Sequence, residues 1–74
     1  MTIKEKSMIF DRYAGQKRAW CIYKKQGNNE MARFVLEDCE FLESLLPNDR
    51  DRFNRIHDEV FRAYRMWECF KPLI

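Results

Sequence analysis

The feature that most restricts this chain is how rarely it is interrupted. Only QGNN at 26–29 and the dipeptide Leu46-Pro47 are strong breakers, and they cut 74 residues into three pieces, each long enough for a helix. Neither an internal repeat nor a low-complexity tract is present. The spacing predicts an all-α, small three-helix bundle, one domain over 1–74, with helices near 5–25, 29–46 and 48–70. An N-terminal β-hairpin followed by helices is the alternative: AWCIYKK and MARFVLE flank QGNN as two strands would flank a turn. Alternation in those runs is poor and β-branched residues are few, so helix is the better reading.

The third piece carries the clearest pattern. Phe53, Ile56, Val60, Ala63, Tyr64 and Trp67 recur at the i, i+3, i+4, i+7 spacing of one apolar stripe. Asn48 or Asp49 stands ready as N-cap, Pro72 closes the piece, and Asp51–Arg55, Arg55–Glu59 and Asp58–Arg62 are four apart and able to pair. In the second piece Asn28 or Asn29 is the expected N-cap, and Met31, Phe34, Val35, Phe41, Leu42, Leu45 and Leu46 form a broad apolar face. Asp38 falls inside that face and is expected to pair with a lysine of the first piece, since an unpaired buried carboxylate is costly. In the first piece Ile9, Phe10, Tyr13, Ala14, Trp20 and Cys21 share a face, interrupted by Lys17 and Lys24 and weakened by Gly15.

Charge is segregated. Residues 1–27 hold seven Lys/Arg against two acids, residues 30–46 one Arg against five acids, and residues 47–74 six against five. A basic first helix beside an acidic second one is the simplest consequence, steering packing more than strengthening it.

Several function classes fare poorly. A catalytic centre needs a nucleophile, a base and an orienting group, yet there is one histidine, His57, with two serines, and a chain of two glycines holds no phosphate cradle. The protein is therefore read as not an enzyme, with no cofactor. Cys21, Cys39 and Cys69 are odd in number and contain no CxxC pair, so reduced, buried thiols are expected, and no metal site with His57. No apolar run approaches the roughly 20 residues of a membrane span, and no signal-peptide core follows MTIKEK. No membrane association and a cytoplasmic location are expected.

Two partner classes remain. Arg12, Lys17, Arg18, Lys24 and Lys25 interleave with Trp20 and two tyrosines, a mixture able to contact phosphates and stack on bases. Against RNA or DNA binding stand a net charge of only +2 and the acids Asp51, Asp58 and Glu59 in the third helix. Short stretches, MARF at 31–34 and IHDEVFRAYR at 56–65, resemble segments of the Rop family of small helical-hairpin RNA-binding proteins. Their mutual spacing departs from that family and the first piece has no counterpart there, so no functional residue is carried over.

The favoured reading is a small regulatory or accessory protein that binds protein, a second copy of itself included. Six Phe, three Tyr and two Trp are many for a domain with so little interior. The expected contact surface is the late third helix and the apolar tail: Arg62, Tyr64, Arg65, Trp67, Phe70, Leu73 and Ile74. On that reading Phe53, Ile56 and Val60 build the core, and a homodimer is the simplest assembly.

Overall fold

The computed structural model describes residues 1–66. Three helices follow one another: α1 over Ile3–Lys25, α2 over Asn29–Leu45 and α3 over Arg50–Tyr64, with a single 3-10 turn, Pro47–Asp49, leading into α3. The chain is an all-α three-helix bundle. The β-hairpin alternative is overturned, because AWCIYKK lies in the last turns of α1 and MARFVLE within α2.

Each terminus has a local cause. Thr2 and Glu5 form a capping box: the Glu5 amide donates to Thr2 Oγ1 at 3.1 Å, and the Thr2 amide donates to Glu5 Oε1 at 3.4 Å. At the other end Gly27, at φ 76°, closes α1. Its amide donates to the Lys24 carbonyl and that of Asn28 to the Tyr23 carbonyl, the paired bonds of a Schellman motif. Asn28 then caps α2 as expected, its Oδ1 accepting from the Met31 amide at 3.2 Å. Leu46, at φ −133° and ψ 69°, leaves the helical region before Pro47 and ends α2. Asp49 occupies the N-cap of α3, but its side chain makes no capping bond; it faces Lys6 at 3.7 Å instead and ties the α2–α3 turn to the start of α1.

The core is two clusters joined by Ile56. Phe10, Tyr13, Cys39, Leu42, Leu46 and Phe53 form the first, and the Phe53 ring stands 5.0 Å from Phe10 and 4.7 Å from Tyr13, centroid to centroid. Cys21, Val60 and Met66 form the second, flanked by Trp20, Phe61 and Tyr64. The expected core residues of α3 take these places: Phe53 and Val60 are buried and Ile56 partly so. The intrahelical pairs expected on the outside of α3 are not formed. The two ion pairs among the described residues are Lys6–Asp49 and Arg12–Asp38, both between elements.

Candidate functional site

α2 is apolar over a wider arc than its two neighbours cover. Ala32, Val35, Cys39, Leu42 and Leu46 turn inward and are buried. Met31, Phe34, Phe41 and Leu45 lie on the adjoining arc and stay exposed, Phe34 by 60% and Phe41 by 59%. With Asp38 they sit at 31, 34, 38, 41 and 45, the alternating three-and-four spacing of a heptad seam. α1 carries a matching row at 8, 12, 15, 19 and 22: Met8, Arg12, Gly15, Ala19 and Ile22, of which Met8, Arg12 and Ile22 are exposed.

One polar node joins the rows. Arg12 donates Nε to Asp38 Oδ2 and Nη2 to Asp38 Oδ1, each at 3.2 Å, and Gln16 Nε2 donates to Oδ2 at 2.7 Å. These donors hold the Asp38 carboxyl below its ordinary pKa, Gln16 first among them. The partner expected for Asp38 was a lysine; it is an arginine, whose planar fork meets both carboxylate oxygens at once. Because α1 and α2 run antiparallel, Met8 flanks the node on the side of Phe41 and Leu45, and Ala19 on the side of Phe34 and Met31.

A second polar group lies inside. Tyr13 donates its hydroxyl to Glu43 Oε1 at 2.7 Å, and burial with that bond raises the phenol's pKa. Lys17 is only 7% exposed, its ammonium 5.4 Å from the Tyr13 ring and 6.0 Å from the Trp20 ring. Cys39 is buried and its thiol is pushed up to about 11, the reverse of what a nucleophilic thiolate requires. His57 packs on Phe61 with ring centroids 4.1 Å apart. Burial and the Lys17 charge lower its pKa, while Asp58 and Glu43 oppose them. The unfolded chain thus takes up the histidine proton first as acid is added. Stability from this group is whole above the ordinary value of 6.5 and falls below it. In urea titrations between about pH 7 and pH 5 the midpoint is expected to decline, and His57→Phe to flatten that decline. An unchanged slope in the variant would remove His57 from the account.

Four of the six residues read as nucleic-acid contacts are engaged by neighbours in the chain. Arg12 is paired with Asp38, Lys17 is buried, and Trp20 stacks on Phe61 at 5.4 Å. Lys24 stands 5.8 Å over Trp20 and donates to Asn29 Oδ1 at 3.3 Å, while Arg18 and Lys25 face solvent. Of the surface expected on α3, Arg62 and Arg65 are exposed and Tyr64 is half-buried against the second cluster. Trp67, Phe70, Leu73 and Ile74 lie outside the described residues, as does Cys69. Among the described residues no three His, Cys, Asp or Glu side chains converge as a metal-binding group, and no helix is long and apolar enough to cross a membrane.

The broad apolar face expected of the second piece is divided in two, Val35, Leu42 and Leu46 buried and Met31, Phe34, Phe41 and Leu45 exposed, and Gly15, expected only to weaken its helix, lies in the facing row. The signal for the second seam was present in the width of the apolar arc of α2. No known protein family matches this chain, and neither curated proteins nor solved structures yield a match.

Proposed function

We propose that this chain is a small, non-enzymatic regulatory protein that works by binding protein, with the outer α1/α2 face as its contact surface. The observation that carries the reading is the exposed row Met31, Phe34, Phe41 and Leu45 at heptad spacing. Exposed apolar side chains scattered singly are ordinary, but an apolar row along one helix face, interrupted only by the paired Asp38, is the form taken by surfaces that dock a helix. The Arg12–Asp38 node supports the same reading, because a single fixed polar contact within an apolar seam sets the register of a helical partner. The pairing of Arg12 with Asp38, the burial of Lys17 and the contacts of Trp20 and Lys24 argue against a phosphate-binding role for α1.

Site-specific photo-crosslinking in living cells tests this. A benzophenone side chain placed at Phe34 or Phe41 is expected to yield covalent protein adducts, and the same probe at exposed Glu59 on α3 to yield none. Absence of adducts at 34 and 41, or adducts removed by nuclease, would overturn the reading.

A further inference from the structure

Resting on the protein-binding reading above, we infer that the occupant of the α1/α2 face is a second copy of this chain, each α2 lying antiparallel against the partner's α1. The two-fold axis runs parallel to the helices, and the product is a four-helix layer at the centre of a dimer.

Three observations select this occupant and this arrangement. The first is area. Met8, Met31, Phe34, Phe41 and Leu45 together expose on the order of 500 Å² of apolar side chain, the upper range for a monomer's largest patch. The polar rim around them brings the face near the roughly 800 Å² per partner of a stable interface.

The second is charge. A two-fold axis across the helices would set α2 against α2 and bring Glu30 and Glu37 of two copies together. An axis along the helices sets acidic α2 against basic α1, with five acids to one Arg in 30–46 and seven Lys/Arg to two acids in 1–27. Only the second pairing is complementary in sign.

The third is shape. Rotation about an axis along the helices keeps every residue at its own height. Arg12 therefore meets Asp38 of the partner subunit, and its Nη1, uncommitted among the described residues, gains an acceptor there. The two intramolecular pairs become one ring of four charges. At the neighbouring level Phe34 comes over Gly15 and Ala19 of the partner subunit, and Phe41 and Leu45 come over the partner's Met8. Large side chains thus face small ones at one end of the seam. This also gives Gly15 a purpose. Glycine in a helix interior costs roughly 1 kcal/mol against alanine, and within one copy a Cβ at Gly15 would meet nothing within 4 Å. The space is open inside the monomer and filled in the dimer.

Light scattering coupled to size exclusion, across a concentration series, tests the inference on the full chain. The expected mass is twice the 9.1 kDa of one copy. Gly15→Phe is expected to give a single-copy mass with unchanged helix content, because its side chain blocks the seat of Phe34 without touching the monomer's core. Arg12→Asp and Asp38→Arg are each expected to run as single copies, four like charges meeting at the node, and their equimolar mixture to regain the doubled mass. Two outcomes overturn the inference: a native chain of single-copy mass at every concentration, or a doubled mass that Gly15→Phe leaves intact, which would place the contact elsewhere, as on α3 and residues 67–74. A single-copy mass together with protein adducts at position 34 would reject the self-partner and keep the protein-binding reading. A single-copy mass with no adducts would reject both.

Discussion

Phe53→Ala is expected to remove about 3–5 kcal/mol of stability, most of what a domain of this size holds. Phe53 is 1% exposed, and its ring is set between those of Phe10 and Tyr13. Truncation takes away the transfer free energy of the ring and leaves a void that two further aromatics line, which cannot close without moving helices. The tilted ring contacts add a smaller loss of their own. Phe34→Ala is the matched control: the same atoms are deleted from a side chain 60% exposed, and the folding free energy of one copy should change by less than about 1 kcal/mol. Urea unfolding followed by circular dichroism, at concentrations where the chain is a single copy, separates the two. If both cost the same, the division of α2 and α3 into an inner and an outer apolar face is mistaken.

That contrast also marks where the sequence could be read and where it could not. Asn28 and Gly27 sit in QGNN, and Leu46 precedes Pro47; these are local devices, each satisfying backbone groups within a few residues, so the three helices were visible before any packing was known. The capping box at Thr2 and Glu5 is a local device of the same kind. Burial is different, because it depends on where neighbours stand. Phe34 and Val35 are adjacent in sequence and belong to one broad apolar arc, yet one faces solvent and the other the core. Helical periodicity gives the centre of such an arc but not which part a neighbour covers, and α2 has neighbours on one side only. Lys17 shows the reverse error. Its place within the apolar row of α1 was plain, but a lysine there read as an interruption, when the structure buries it beside two aromatic rings. Asp38 lay between: its need for a cation was legible from its position, and the identity of that cation depended on the register of α1 against α2.

Lys17→Met is expected to make the protein more stable, by about 1–2 kcal/mol. Lys17 is a cation 7% exposed that forms no ion pair among the described residues. The opposing contributions can be ranked. Its attraction to the Tyr13 and Trp20 rings amounts to roughly 0.5–2 kcal/mol and acts at 5.4 and 6.0 Å. Taking an ammonium out of water costs several kcal/mol even after the surroundings relax. That cost is reduced here, since no buried side-chain nitrogen or oxygen among the described residues lacks a hydrogen-bond partner, so the ammonium must keep an edge to solvent. Methionine keeps the length and flexibility of the stem and fills the same space without the charge. Desolvation outweighs the ring contacts, and the sign of the change follows. His57 supplies an independent readout of the same geometry. The Lys17 charge contributes to its lowered pKa, so in Lys17→Met the imidazole titration, followed by NMR of the ring protons, moves upward toward 6.5. A variant that loses stability while His57 still moves would make the ring contacts the larger contribution. A variant in which His57 stays put would mean that the Lys17 ammonium does not lie within reach of the imidazole at all.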